Sequence, residues 1–290
     1  MSGLSPIEAA KRFAARAAID KHVTRDTRFL GVGSGSTIVY SIVRLGERVK
    51  AGELDGNRLV CVPTGWQSRQ ECLKNGLRVA ELDECYLSAD SVDANGHVLD
   101  AAIDGADEVD AQLNVIKGGG AAHLREKVVA AAARKFIIVA DDRKDASVLG
   151  EKWKKGVPIE AVPFAAPLVM QQIAALGGRK PSAAASVSIG VFTLNKPEPR
   201  MRDGLPGKAG PVVTDYGNLC LDADFGLIKD PVALEQRLIS IPGIVETGLF
   251  CNMVDEAWFA APDGSVYVRK FSDGSKTDVV KETVAASGAA

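Results

Sequence analysis

The chain is poor in the residues that metal and redox sites rely on. It has three histidines, His22, His97 and His123, and none has metal-ligand spacing. Its five cysteines, Cys61, Cys72, Cys85, Cys220 and Cys251, form no Cys-x-x-Cys pair and are odd in number. A zinc motif and a disulfide framework are therefore excluded, and buried thiols in a reducing, cytoplasmic compartment are expected. No apolar run approaches the length of a membrane span. The opening MSGLSPIEAAKRFAARAAIDKHV lacks the apolar centre of a signal peptide. A net charge of −2 draws the chain neither to nucleic acid nor to an anionic membrane. Any anionic ligand has to be held locally.

What is present is the composition of a soluble globular protein, 46% hydrophobic and 25% charged, long enough at 290 residues for one large domain or two smaller ones. Ser5, Pro6 and Glu8 form the start signal of an amphipathic helix. RFLGVG (28–33) reads as a strand followed by a glycine/serine turn and a helix from about Ser36. RLVCVPT, LRVAEL, HVLDAAIDG and LNVIKGG read as further strands. A helix is expected from about Ala121 to Arg134, and KFIIVAD (135–141) has the continuous apolar character of a strand buried on both faces. Strands alternating with helices predict a doubly wound, mainly parallel α/β sheet. After about Lys155 the pattern changes to two helices among antiparallel strands, a small α+β domain. AWFAAPDGSVYVRKF then reads as a hairpin. The stretch from Arg179 to Gly210 reads in part as a surface insertion, and the polar, Ala/Gly-rich tail from Ser272 as mobile. The expected boundaries are 1–155 for the catalytic domain, 156–246 for the second domain, and 247–290 for a return to the first plus the tail.

GVGSGST (31–37), between a strand and a helix, suits an anion. Glycines admit close backbone approach, the helix start adds a favourable dipole, and Ser34, Ser36 and Thr37 add hydroxyls. A Walker A loop would need a lysine before Ser36, and a dinucleotide fingerprint would need a glycine at Ser36. A tight turn with a serine cap is the plain alternative.

The stretch DGADEVDAQLNVIKGGGAAHLREK (104–127) gathers more chemistry. Asp104 and Asp107 flank Gly105 and Ala106 at the end of a strand, where open α/β sheets bind ligands. An Asx turn would explain either one alone, and Glu108 and Asp110 read as solvated charges. Lys117 ends an apolar run before Gly118, Gly119 and Gly120. Glu126 lies early in the next helix, where side chains lean back toward the glycines. Lys144 follows KFIIVAD at the same sheet edge, with Arg143 beside it. A phosphate cradle, carboxylates and a lysine, with no nucleophile–histidine pair, suit proton transfer on a phosphorylated sugar.

DGADEVD, IKGGGAA and REK, with GVGSGST upstream, resemble ribose-5-phosphate isomerase, type A. VPTGWQSRQ, FIIVADDRK, LGGR, GPVVTDYGNLCLD and IPGIVETGLF extend the resemblance from about Lys11 to Gly264. It implies a Rossmann-like domain with an α+β, ferredoxin-like lid. It also implies cofactor-free interconversion of ribose 5-phosphate and ribulose 5-phosphate in the pentose phosphate pathway, by a homodimer or homotetramer. On that match Glu126 shuttles the proton, Lys117 stabilises the oxyanion, and Asp104 and Asp107 contact sugar hydroxyls. Ser34, Gly35, Ser36 and Thr37 face the phosphate, Gly118 to Gly120 line the site, Lys144 reaches the substrate, and Lys11 matches a basic position near the phosphate. His123 departs from the family pattern and is read as a packing or surface residue. The 179–210 stretch and the tail carry no matched functional residues.

Overall fold

A computed structural model describes residues 4–88, 92–177, 199–204, 207, 209–271 and 279–284. Its first helix, α1 (Pro6–His22), starts where the sequence signals a start. The Ser5 hydroxyl accepts from the Glu8 N–H, and Pro6 occupies the first turn. The apolar face of α1 is mostly alanine, so the helix lies close to its neighbours. Ala10, Ala14, Ala15 and Ala18 are buried with Ile38, Ile42 and Leu45 of α2 (Ser36–Lys50) in one core.

The chain divides into two compact units. The first comprises residues 1–106, 125–145 and 252–290, and the second 107–124 and 146–251. These breaks differ from the boundaries read from sequence at 155/156 and 246/247, chiefly because 107–124 leaves the first unit before returning to it.

The first unit is built on a sheet of β1 (Phe29–Val32), β2 (Val60–Pro63), β3 (Arg78–Val79), β4 (Ala101–Asp104), β7 (Phe136–Asp141), β13 (Glu256–Ala260), β14 (Val266–Phe271) and β15 (Val279–Val284). Their order is β15-β14-β13-β7-β4-β1-β2-β3. From β3 to β13 every pairing is parallel, and β14 and β15 extend the sheet antiparallel. All six residues of β7 are buried, as its unbroken apolar run requires of a strand covered on both faces. The chain runs outward from β1 to β2 and β3, then returns to place β4 on the other side of β1. That reversal is the topological switch point, and in such sheets ligands bind beyond the carboxyl ends of the two strands that meet there. Here those ends carry Gly33–Thr37 and Asp104.

The second unit holds a four-stranded antiparallel sheet of β8 (Val157–Ala161), β9 (Arg200–Met201), β10 (Leu219–Ala223) and β11 (Ile244–Thr247), with α6 (Ala166–Ala175) and α7 (Pro231–Ile239). The chain order β-α-β-β-α-β and the strand order β11-β8-β10-β9 are those of a ferredoxin-like fold. Val157, Ile159, Val169, Ile173, Leu221 and Leu238 form its core. A small second sheet joins β5 (Glu108–Val109), β6 (Val115–Ile116) and β12 (Leu249–Phe250), all antiparallel.

Four expectations are corrected. LNVIKGG contributes only β6, in that small sheet and not in the parallel one. LRVAEL gives the short β3, and its last residue opens helix α4 (Leu82–Ser88). Part of the tail is ordered, since residues 279–284 pair with β14 along its whole length. Glu108 and Asp110 are not solvated: they are 0% and 2% exposed. Glu108 accepts from the backbone N–H groups of Gly150, Lys152 and Trp153. Asp110 accepts from the N–H groups of Gln112 and Asn114 and from the Asn114 side-chain amide. Of the expected 179–210 insertion, residues 179–198, 205, 206 and 208 lie outside the described residues, while 200 and 201 form β9.

Glu108 thus tethers the 150–153 loop to β5 with a buried charge. Replacing it by alanine strands three N–H groups and removes charge-assisted bonds, each contributing about 1.5–3 kcal/mol. Glu108→Ala should lower the urea unfolding midpoint by several kcal/mol equivalent, and an unchanged midpoint would refute the tether.

Candidate active site

Several site residues lie at the switch point of the first unit. After β1 the chain turns through Gly33, Ser34 and Gly35 into α2. Gly33 is required by a neighbour and not by its own dihedrals. A Cβ there would lie 1.8 Å from Asp104 Oδ1 and 2.0 Å from its carboxyl carbon. The buried Asp104 carboxylate occupies that space and accepts from the Ser34 N–H at 3.2 Å and the Gly105 N–H at 2.7 Å. Gly35 has φ +103 and is the N-cap of α2, without a side-chain cap. The serine cap of the plain alternative is therefore not what starts this helix. Gly35 and Ser36 are exposed, Ser34 is partly exposed and Thr37 is buried. The exposed start of α2 thus offers backbone N–H groups and hydroxyls to an anion.

The second residue of α3 reaches this loop. In α3 (Trp66–Lys74), Gln67 Oε1 accepts from the Gly35 N–H at 3.2 Å. Sequence reading gave Gln67 no role, although it lies within the VPTGWQSRQ segment. Gln67, Ser68 and Glu71 line a small recess with Gly33, Ser34 and Gly35.

Glu126 lies in the first turn of α5 (His123–Ala131) and is 6% exposed. The surface-glutamate alternative is thus excluded. At Gly31 a Cβ would meet Val129 at 2.5 Å and its strand partner Ala102 at 2.8 Å, so this glycine lets α5 pack directly on β1.

Lys144 ends a short 3-10 turn after β7 and is partly exposed. The adjacent Arg143 is engaged elsewhere, donating to both oxygens of Asp141 at 2.7 and 2.9 Å. Lys11 is 7% exposed, bonded to Glu8 at 2.9 Å and 3.7 Å from Asp141. Burial pushes the Asp141 carboxyl up, but Arg143, Lys11 and Lys144 outweigh it and hold Asp141 below its ordinary range. Glu8 is likewise lowered by its bonds from Lys11 and Tyr40. This cluster of three cations and two carboxylates was not foreseen beyond Lys11 and Lys144.

Asp107, Lys117 and Gly118–Gly120 belong to the second unit. The Asp107 backbone N–H donates to Ile116. Its carboxylate accepts from the Gly119 N–H at 2.7 Å, and a Cβ on Gly119 would lie 2.8 Å from Asp107 Oδ1. Gly118 has φ +98, and a Cβ there would fall 2.7 Å from His123 Nδ1. His123 is 0% exposed, so it is a packing residue laid against the triplet. Ala121 closes the turn with φ 59, uncommon for a residue with a side chain and found preferentially at functional sites. Lys117 is 3% exposed, with its Nζ 5.7 Å from the Phe250 ring centre. Its neighbour Gly248 is glycine of necessity, because a Cβ there would lie 2.2 Å from the Lys117 carbonyl oxygen.

In the first unit, buried carboxylates, an exposed helix start and a cation group can move a proton and hold an anion; in the second, a half-buried carboxylate and a buried lysine can hold hydroxyls and balance an oxyanion. Among the described residues, no cluster of histidine, cysteine, aspartate and glutamate could hold a metal ion, and no helix is long and apolar enough to cross a membrane.

The approach of Asp104 to Gly33 is testable. Gly33→Ala should displace the Asp104 carboxylate and depress turnover by on the order of 10²-fold, the cost of about 1 Å of misplacement. Wild-type kcat in that variant would show that the contact is dispensable.

Comparison with known proteins gives a consistent picture. A family model described as ribose 5-phosphate isomerase A (phosphoriboisomerase A) matches residues 60–264. The ribose-5-phosphate isomerase of Schizosaccharomyces pombe is 45% identical over 269 residues, covering 93% of this chain and 86% of that protein. The Homo sapiens protein of the same name is 43% identical, covering 93% of this chain and 76% of its own. A solved D-ribose-5-phosphate isomerase in complex with phospho-erythronic acid matches with TM-score 0.73 and 32% identity, covering 95% of this chain and 98% of that one. The isomerase from Plasmodium falciparum matches with TM-score 0.72 and 28% identity, covering 91% and 99%.

Proposed function

The chain belongs to the ribose 5-phosphate isomerase A family and interconverts ribose 5-phosphate and ribulose 5-phosphate, and we propose that Glu126 is the base that carries the proton. The reaction moves one proton between C2 and C1 of the open-chain sugar. Glu126 takes the C2 proton of the aldose to give an enediolate, the O2 proton passes to O1, and the same carboxyl returns its proton to C1, leaving a C2 ketone and a C1 alcohol. Oxidation at C2 and reduction at C1 balance within the substrate, so no redox cofactor is required. The observation that carries this assignment is the position of Glu126: a carboxylate 6% exposed in the first turn of a helix packed on β1 at Gly31.

The remaining roles follow from chemistry. Lys117 balances the developing oxyanion, and its burial leaves its charge little screened by water. Asp104 and Asp107 hold sugar hydroxyls and assist ring opening. The exposed start of α2, Gly35 and Ser36 with Ser34 and Thr37, takes the phosphate, and Gly105, Ala106 and Gly118–Gly120 give the sugar close access to backbone. Lys144 supplies a further positive charge, with Lys11 behind it through Asp141. A similar protein was solved with phospho-erythronic acid, which joins a phosphate and a carboxylate on a short polyol. An enediolate of a sugar phosphate presents the same pair of anions, which supports this division of labour. Five cysteines, four of them buried thiols, fit a reducing, cytoplasmic setting. A homodimer or homotetramer is the assembly we infer, and light scattering of the purified chain reads it directly.

Glu126→Gln should lower kcat by about 10²–10⁴-fold, the range typical of general-base loss, with KM changed far less. Turnover near that of the wild type would move the base elsewhere while leaving the family assignment intact. In D₂O the product should carry some solvent deuterium at the migrating position.

A further inference from the structure

The stretch read from sequence as an insertion without functional residues contains an arginine, Arg202, that reaches the glycine triplet. Arg202 follows β9 and is fixed at the sheet edge by its own backbone: its N–H donates to Cys220 at 2.8 Å, and its carbonyl accepts from Val212 at 2.7 Å. Its guanidinium, 14% exposed, pairs through Nε and Nη2 with both oxygens of Asp222, whose side chain is 1% exposed. The remaining nitrogen, Nη1, donates to the carbonyl of Gly118 at 2.9 Å and to that of Gly119 at 3.3 Å. Burial opposes the charge on Arg202, but the Asp222 carboxylate, with Asp107 beyond it, holds it firmly protonated.

The Gly118 carbonyl and the Gly119 N–H are two ends of one planar peptide unit. A cation sits on its oxygen, and the Asp107 carboxylate sits on its N–H at 2.7 Å. Such a bracket fixes the plane of the peptide. It also polarises it, since a positive donor on the carbonyl strengthens the N–H as a donor in turn. We propose that Arg202, locked by Asp222, is a positioning residue that orients Asp107 and the Gly118–Gly120 backbone for the isomerisation. This rests on the assignment of Asp107 and the triplet to the active site. Ala121, a residue with a side chain held at φ 59, gives this loop a conformation that external support helps to hold.

Arg200 provides the internal control. It donates to the same Asp222 at 3.0 Å but to no atom of the triplet. Arg202→Ala should lower kcat by on the order of 10²-fold with KM changed only severalfold, and millimolar guanidinium ion should restore part of that loss. Arg200→Ala should keep kcat within about twofold of wild type, since loss of a partly exposed ion pair has little effect. If Arg202→Ala does not fold, Arg202→Lys carries the comparison, because an ammonium cannot serve Asp222 and two carbonyls at once. A folded Arg202 variant with wild-type kcat, or equal losses in the Arg200 and Arg202 variants, overturns the proposal. Asp107→Asn separates the two levels. If it turns over at the wild-type rate, the site assignment fails and the proposal with it. If it is impaired while Arg202→Ala is not, the proposal alone fails.

Discussion

A carboxylate occupies the place where a side chain on Gly33 would be, and the first unit's site is arranged around that exchange. Asp104 can end β4 pointing across to β1 only because position 33 carries no Cβ. Once there, it takes the Ser34 N–H, which fixes the turn leading into α2. Gln67 takes the next N–H, that of Gly35. Two of the amides that a glycine loop would ordinarily turn toward an anion are thus engaged within the protein. On the proposed assignment, phosphate recognition falls to the first N–H groups of α2 and to its hydroxyls, with Lys144 as a further cation. This differs from a P-loop, where successive free amides form the cradle, and it accounts for the absence of a Walker lysine.

Much of this architecture was legible because the physics behind it is local and periodic. The doubly wound sheet showed in short apolar runs alternating with helical patterns, and the buried β7 in its unbroken FIIVAD. The ferredoxin-like unit showed only as a change of pattern, since its strand order depends on pairings between segments far apart in the chain. LNVIKGG failed for a related reason. An apolar run of that length fits a parallel sheet or a small antiparallel one equally well, and its partner, β12, lies much further along the chain.

Charges were the least legible feature. DGADEVD offers four carboxylates, and sequence alone divided them into two for chemistry and two for solvent. All four are bonded to backbone N–H groups. For Glu108 the donors lie in the 150–153 loop, and no motif announces that a distant turn has three N–H groups in need of an acceptor. A buried charge of this kind is retained only when it is satisfied. The two acids nonetheless have distinct tasks, since Glu108 and Asp110 shape the strands that carry Asp107 and Lys117.

Arg202 marks the same limit from the other side. Its surroundings in sequence are rich in proline and glycine and resemble a surface excursion, so nothing local distinguishes it from a solvated arginine. Its meaning lies in Asp222 on the neighbouring strand and in two carbonyls beyond it. Because Arg202, Asp222, the glycine triplet, Asp107 and Lys117 belong to one compact unit, their mutual geometry is set by that unit's own packing. A buried cation there needs a buried anion for compensation, and Asp222 provides it. That leaves the third nitrogen free to act on backbone, which a lysine at the same position could not do. The ferredoxin-like fold thus places an arginine just beyond its edge strand, where its charge is neutralised on one side and used on the other.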